Sequence, residues 1–185
     1  MVARNLTAPT PRPLTRVEYD RMGDLGFFRG ERVELIQGSV VRMSPIRPSH
    51  ASVVDRLAEL LLPRLVGRAR VRIQQPFAAS NESEPEPDVA IVPSGNYVDR
   101  HPDRALLIIE VAESSLAYDR ETKAPMYAAS GVPEYWIVDV AGRAVEVHAG
   151  SDGQRYSSVR RARAGDTPSP SAFADIVIAV SDVVP

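Results

Sequence analysis

The sequence of 185 residues contains no cysteine. This absence excludes disulfides, thiolate nucleophiles, and zinc or iron–sulfur sites with cysteine ligands. Any metal site must therefore be built from oxygen ligands, with the imidazoles of His50, His101 and His148 as the remaining nitrogen donors. Oxygen ligands favour Mg²⁺ or Mn²⁺ over softer metals.

A long apolar run and an excess of charge are also missing. No apolar stretch approaches the roughly 20 residues of a membrane-spanning helix, so we expect no membrane partner. Residues 1–13 contain Arg4 and Arg12 but no apolar core. They predict a disordered lead-in rather than a signal peptide, and hence a cytoplasmic protein. The formal net charge of −2 means that any phosphate-binding surface must be a local patch.

Several motifs that would indicate other enzyme classes are absent. The sequence has no G-x-S-x-G nucleophile elbow, no G-x-x-x-x-G-K-[ST] phosphate loop, no G-x-G-x-x-G and no H-E-x-x-H. The α/β-hydrolases, P-loop nucleotidases, dinucleotide-binding enzymes and zinc peptidases with these motifs therefore find no support here.

What is present is typical of one soluble globular domain, which we place at residues 14–185. The content is 44% hydrophobic and 25% charged. The capping box Thr15–Glu18 predicts a short helix that ends near Gly23. Alternating residues around Gln37 and Gly38 predict a hairpin over 32–43. Ser49 is expected to cap a helix whose apolar residues follow helical spacing and which ends by Gly67.

Further strands are predicted at 70–74, 88–92, 105–111, 134–139, 144–148, 155–161 and 176–180. The strand at 105–111 is almost wholly apolar, which predicts cover on both faces. A helix is predicted over 119–129, with Pro125 either kinking it or delaying its start. Together these elements predict a mixed β-sheet flanked by helices, in the α/β (α+β mixed) class.

Three acidic residues stand where predicted strands begin or end. Asp88 opens a strand, Glu110 lies near the end of the most apolar one, and Glu34 belongs to the hairpin. If the strands of Asp88 and Glu110 pair, their carboxylates can bind one hard cation. A carboxylate in an apolar strand needs such a partner, because burying it alone is costly. Lys123, on the following helix, could orient or deprotonate a water and stabilise charge on a phosphoryl oxygen.

Each of these residues also has a plainer interpretation. Glu34 can be an exposed hairpin residue and Asp88 a turn residue that follows proline. Lys123 stands four residues after Asp119, which predicts an ion pair on the helix surface.

Neighbouring side chains are assigned to structure or to solubility. Tyr127, Tyr135 and Trp136 are assigned to packing. His50, at a helix start, could meet a phosphate, but a surface cap is favoured. Two basic strips without interleaved aromatics are expected to keep the surface soluble: Arg68, Arg70 and Arg72, and Arg160, Arg161 and Arg163.

Several segments occur together in a characteristic order. They are Glu34-Leu35-Ile36-Gln37-Gly38, Met43-Ser44-Pro45, His50, Pro87-Asp88-Val89, Ile109-Glu110-Val111, Asp119 with Lys123, and the run from Gly131 to Asp139. In order and spacing they resemble the Uma family of restriction endonucleases, within the PD-(D/E)XK nuclease superfamily. The resemblance extends from about Leu14 to about Val180. Two local departures are Glu113-Ser114-Ser115-Leu116, where the family reads Ser-Pro-Ser-Thr, and Pro125.

The resemblance implies a restriction-endonuclease-like fold and a role for each acid. Asp88 and Glu110 would bind Mg²⁺ or Mn²⁺, with the backbone carbonyl of Val111 as a third ligand. Glu34 would add a carboxylate directly or through water, and Lys123 would be the catalytic lysine. Most of the superfamily carries that lysine two residues after the second acid, where this chain has Ala112.

The implied function is metal-dependent endonucleolytic hydrolysis of phosphodiester bonds in DNA. The alternative is a nuclease-fold module for binding or assembly, such as a homodimer, with weak or no catalysis.

Overall fold

A computed structural model describes residues 11–184 of the chain. The first ten residues of the predicted disordered lead-in, and Pro185, lie outside the described residues. Residues 11–13 are exposed and have no regular structure. Within residues 11–184, no helix is both long and apolar enough to cross a membrane.

A six-stranded mixed sheet forms the centre of the fold, and a separate two-stranded hairpin stands beside it. The hairpin consists of β1 (Val33–Ile36) and β2 (Ser39–Arg42). The strands of the large sheet are β3 (Arg70–Ile73), β4 (Val89–Val92), β5 (Leu107–Ala112), β6 (Glu134–Asp139), β7 (Ala144–Ser151) and β8 (Tyr156–Arg163). They lie side by side in chain order, and among them only β5 and β6 run parallel. The predicted mixed sheet is confirmed.

The hairpin turn and the first helix form as the sequence predicts. The helix α1 (Arg16–Asp24) begins with the complete capping box of Thr15 and Glu18. The two turn residues of the hairpin both have positive φ, 49° at Gln37 and 75° at Gly38. Positive φ at both positions is the backbone of a type I′ turn, whose twist matches that of the two flanking strands.

One face of the sheet is covered by α2 (Pro48–Leu65) and by the last part of the chain. The helix begins one residue before the predicted cap, because Arg47 is its N-cap and Pro48 occupies the first turn. Proline suits that position, since its missing N–H would have no partner there. Ser49 therefore does not cap the helix, and its hydroxyl donates to Glu113 at 2.6 Å instead.

The predicted strand at 176–180 is wrong. Ile176, Ile178 and Val180 are buried on the α2 side of the sheet. Their backbone does not join a ladder, because the N–H groups of Ile178 and Val180 donate to carbonyls in the loop after β8. The short helix α5 (Val180–Val183) follows. Alternating apolar residues indicate alternating burial, and that pattern does not require a strand partner.

The opposite face is covered by the connection between β5 and β6. It consists of α3 (Leu116–Tyr118), a π-helical turn (Asp119–Lys123) and α4 (Ala124–Ala129). A separate 3₁₀ turn (Ser171–Phe173) follows β8. The helical segment thus starts earlier than predicted, and a π turn precedes Pro125. Proline lacks the N–H for an α-helical bond and clashes with the carbonyl four residues earlier, so the wider π turn accommodates it.

Candidate active site

The predicted site residues meet in one cleft between the hairpin and the large sheet. The cleft has a volume of about 550 Å³. Its lining includes four carboxylates and one ammonium group, those of Glu34, Asp88, Glu110, Asp119 and Lys123. All five of these side chains are buried, with 2–7% of each residue exposed.

The register of the sheet places the two central acids beside each other. Val89 of β4 pairs with Ile109 of β5 in an antiparallel ladder, so Asp88 lies opposite Glu110. The backbone N–H of Asp88 donates to the Glu110 carboxylate at 3.4 Å. Alternate residues of a strand share a face, so Glu110 and Ala112 face the side of the sheet that carries the π turn. The pairing of these two strands confirms the predicted proximity of the acids.

Lys123 reaches across the cleft to two acids from different elements. Its Nζ donates to Oε1 of Glu110 at 2.9 Å and lies 3.4 Å from Oε2 of Glu34. Asp119 instead accepts a hydrogen bond from Ser115 Oγ at 2.6 Å. The predicted surface ion pair between Asp119 and Lys123 is therefore wrong, as is the exposed hairpin position for Glu34.

Tyr127 also touches the site. Its hydroxyl donates to the same oxygen of Glu110 at 2.8 Å, and the residue is fully buried. The assignment to packing alone missed this contact. The signal was present, because Tyr127 stands four residues after Lys123 and therefore on the same side of a helix.

Asp88 is held by three donors. His50 Nε2 lies 2.8 Å from Oδ1, and Gln74 Nε2 donates to the same oxygen at 3.2 Å. The backbone N–H of Val111 donates to Oδ2 at 2.8 Å. His50 thus lines the cleft, and the surface-cap interpretation is wrong. Sequence reasoning also missed Gln74, whose only signal was its position at the end of an alternating strand.

The charges of these groups are strongly coupled. Burial raises the pKa of Glu110, and the nearby carboxylates of Asp88, Asp119 and Glu34 raise it further, against the opposing charge of Lys123. Burial alone would lower the pKa of Lys123, but the surrounding carboxylates outweigh it and the net pKa is raised. Lys123 therefore keeps its proton, which suits an ammonium donor better than a base.

The pKa of the second central acid, Asp88, is lowered rather than raised, because Asp88 pairs with His50. The hydrogen bond that His50 donates to Asp88 is the main cause that raises the pKa of His50, against burial. Burial raises the pKa of Asp88, but the hydrogen bond and charge of His50, with the Val111 N–H, bring its net pKa below the ordinary value. Both shifts favour the charged pair, which fixes the Asp88 carboxylate in the cleft.

The donor set fits a hard divalent cation in its chemistry. Six carboxylates line the cleft together with three arginines, one lysine and one histidine, so acidic groups outnumber the lysine and arginines and oxygen donors are in excess. The conformation is not that of an assembled site. Within residues 11–184, no three His, Asp or Glu side chains are grouped closely enough to hold a metal ion. The carboxylates are instead engaged by His50, Lys123 and Tyr127.

Comparison with known proteins identifies the family of this chain and a solved structure with a similar fold. Residues 16–181 match the family Uma2, described as "Putative restriction endonuclease". Four chains of solved structures match as well. One is the crystal structure of "a putative nuclease belonging to DUF820" from Anabaena variabilis, with a TM-score of 0.68 and 14% identity. The alignment covers 92% of this chain and 97% of that one. No curated protein matches significantly.

Proposed function

This chain belongs to the Uma2 family of restriction-endonuclease-like proteins, and from that membership we propose that it is a metal-dependent endonuclease that hydrolyses phosphodiester bonds of DNA. The family supports a nuclease and hence a hydrolase. Mg²⁺ or Mn²⁺ as the metal, DNA as the substrate, a cytoplasmic location and a homodimer are parts of the proposal.

One observation carries the proposal, the position of Lys123. The sequence has 22 Lys and Arg residues, and Lys123 is the only lysine among them. This lysine is buried between Glu34 and Glu110. It belongs to the π turn, whereas Glu110 belongs to β5. The position two residues after Glu110 is occupied by Ala112, which is 1% exposed and has no functional group. The ammonium is thus supplied to the acids from the helical connection.

The residues that would hold the metal are Asp88, Glu110 and the backbone carbonyl of Val111, with Glu34 directly or through water. When bound, a divalent ion would polarise a phosphoryl oxygen and acidify a water. The chain's own groups prepare the cleft for that ion. His50 and the Val111 N–H orient Asp88, and the Tyr127 hydroxyl orients Glu110.

Lys123 would act on the substrate through charge. A buried ammonium aimed at the cleft can stabilise the negative charge that develops on a phosphoryl oxygen. It can also hold a water by hydrogen bonding. Glu34 and Glu110 keep the long side chain of Lys123 in one position, so it needs no reorganisation when charge develops.

A second candidate is a nuclease-fold binding or assembly module without useful catalysis. One observation favours it: His50 and Lys123 occupy carboxylate oxygens that a metal would need. Ion pairs of this kind can stabilise a fold without any metal. The two candidates differ in whether divalent metal and DNA produce turnover.

The test is a cleavage assay on supercoiled plasmid, linear duplex and single-stranded DNA, with Mg²⁺, with Mn²⁺ and with a chelator. We expect cleavage that needs metal and falls at least about 100-fold in Lys123→Met. Glu121→Gln is the matched control, because Glu121 is an exposed residue of the same π turn. Cleavage by Lys123→Met at the parent rate, or no metal-dependent cleavage of any substrate, would reject the proposal.

A further inference from the structure

Two arginines of the edge strand β3 lie on the face of the sheet that holds the cleft. Arg72 pairs with Ala90 and Arg70 pairs with Val92, so both share the face of Asp88. Gln74, which follows the strand with a φ of 49°, donates to Asp88. The row Gln74, Arg72, Arg70 therefore starts at the cleft and runs outward along the strand. Arg70 and Arg72 are spaced by about 6.6 Å, the repeat of alternate strand residues.

A tyrosine from a distant loop supports the two guanidinium groups. The guanidinium carbons of Arg70 and Arg72 lie 5.7 and 5.8 Å from the centroid of the Tyr97 ring. The Tyr97 hydroxyl donates to the carbonyl of Pro93 at 2.7 Å, which fixes the ring. Cation–π contacts of this kind hold arginines in place without neutralising them.

Arg70 and Arg72 have no acidic partner within residues 11–184, and their shared contact with Tyr97 distinguishes them from the other arginines that lack one. Several exposed arginines pair with carboxylates at 2.6–3.3 Å: Arg12, Arg32, Arg42 and Arg68. Among residues 11–184, Arg70 and Arg72 form no ion pair with Asp or Glu within 4.0 Å. The Nε of Arg72 is buried and lacks a hydrogen-bond partner in the same range of residues. The row thus presents positive charge that the fold itself does not balance.

We propose that the row Gln74, Arg72, Arg70, supported by Tyr97, binds successive phosphates of one polynucleotide strand that leaves the cleft. The inference rests on the proposed function and adds to it the path of the substrate. The cleft lining includes three arginines, but two of them, Arg32 and Arg42, are paired with Glu86 and Glu31. Affinity for a polyanion is therefore expected to draw on positive groups outside the cleft as well. An arginine contacts a phosphate with two parallel N–H groups, and alternate strand residues repeat at a distance comparable to that between adjacent phosphates.

Charged side chains on an edge strand have a second known effect, because they discourage pairing with another sheet. That effect would leave the affinity for nucleic acid unchanged. The two explanations are therefore separated by a binding measurement.

The experiment measures fluorescence anisotropy of a labelled oligonucleotide, single-stranded and as a duplex, over a range of salt concentrations in Ca²⁺ buffer. The test variant is Arg70→Gln with Arg72→Gln. The control is Arg160→Gln with Arg163→Gln, an equal change in charge at two exposed residues of β8, the opposite edge strand. We expect the test variant to lose about tenfold or more in affinity. Its salt slope should fall by about 1 for each arginine. The control should stay within about twofold of the parent.

The other outcomes test the row and the proposed function separately. An equal loss in both double variants would mean that overall charge, not the row, sets the affinity. Unchanged binding by Arg70→Gln with Arg72→Gln, in a protein whose parent binds and cleaves DNA, would reject the row and leave the proposed function intact. A row-dependent affinity in a parent that never cleaves would keep the row and reject the nuclease. A parent that neither binds nor cleaves would reject both.

Discussion

At the scale of single residues, Lys123 is the group whose chemistry differs most from its surroundings. An ammonium is a compact charge on a flexible stem, whereas a guanidinium is a planar fork. Apart from three histidines, every other basic residue of the chain is arginine, yet the buried cleft position has the lysine. A planar fork would need more room between Glu34 and Glu110 than a single Nζ atom occupies. The identity of this residue is therefore part of the site, and charge alone does not replace it.

Lys123→Arg should restore little of the activity that Lys123→Met loses, because the guanidinium cannot take the same position. Lys123→Met with Ala112→Lys should recover part of it, since residue 112 shares a face with Glu110. Initial cleavage rates with Mn²⁺ measure both effects. Ala112→Met alone controls for overpacking, which costs about 1–3 kcal/mol in a tight core. Full activity of Lys123→Arg would show that only a positive charge is required.

Glu84 provides a second prediction at the residue scale, on stability against pH. Burial raises its pKa from 4.5 to about 7, and the charges of Asp20 and Glu86 act in the same direction against Arg16. Between these two pKa values the folded protein binds more protons than the unfolded chain. The free energy of unfolding therefore falls as pH rises from about 4.5 to about 7.

Glu84→Gln removes this titration. We expect it to match the parent near pH 4 and to exceed its free energy of unfolding by about 3 kcal/mol at pH 8, as one pKa unit corresponds to about 1.4 kcal/mol. Urea denaturation at several pH values measures the difference. Glu82→Gln, at an exposed residue of the same loop, should show no such divergence. A constant difference between Glu84→Gln and the parent at every pH would contradict the expectation.

At the scale of elements, the hairpin turn decides where Glu34 stands. Gly38 has φ of 75°, and a Cβ built on it would lie 2.2 Å from the Cβ of Pro13. The N–H of Gly38 donates to the carbonyl of Glu82, and its carbonyl accepts from Leu14. The turn thus packs against backbone on two sides and anchors the strand that carries Glu34.

Gly38→Ala should lower the free energy of unfolding by more than Gly30→Ala. Both glycines have positive φ, at 75° and 79°, but a Cβ on Gly30 would meet no atom within 4 Å. Gly30→Ala therefore reports the backbone strain alone, about 1–2 kcal/mol. The excess in Gly38→Ala, measured by chemical denaturation, reports the clash with Pro13. Equal losses would mean that the turn moves freely away from Pro13 and does not fix Glu34.

The elements differ in how well the sequence predicts them, for physical reasons. The capping box of α1, the hairpin and the strands β3 to β8 follow from short patterns of turn residues and alternation. The π turn does not, because it depends on how Pro125 is accommodated by a helix that is already packed on the sheet. The prediction of a strand at 176–180 was wrong, because residues there alternate in burial without pairing to a neighbouring strand.

The site shows the same division. The pairing of β4 with β5 was predictable, and with it the proximity of Asp88 and Glu110. The contacts of His50 and Gln74 with Asp88 were not, since they join elements far apart in the sequence. Such side chains meet only through tertiary packing, which local patterns do not encode.

At the scale of the whole molecule, the distribution of charge matters more than its sum. The net charge is only −2, but the cleft concentrates carboxylates in a buried volume. Like charges brought together without a cation oppose folding. The internal ion pairs of His50 and Lys123 relieve only part of this repulsion. A divalent cation that enters the cleft should therefore stabilise the folded state as a whole.

We expect Mn²⁺ or Mg²⁺ at about 100 times its Kd to add about 2.7 kcal/mol to the free energy of unfolding, because the ion binds the folded state alone. For a chain of this length that raises Tm by about 5–10 °C. The rise should disappear in Asp88→Asn and in Glu110→Gln, which keep the size of each side chain but remove its charge. Glu146→Gln is the control, since Glu146 is as buried as Glu110, at 4% exposed, and lies outside the cleft lining. Glu146 pairs with Arg120 and Arg161, so its loss should lower Tm and yet leave the metal-induced rise intact. A rise of the same size in Asp88→Asn and Glu110→Gln would place the ion elsewhere, and its absence in the parent would leave the binding module as the better description of the cleft.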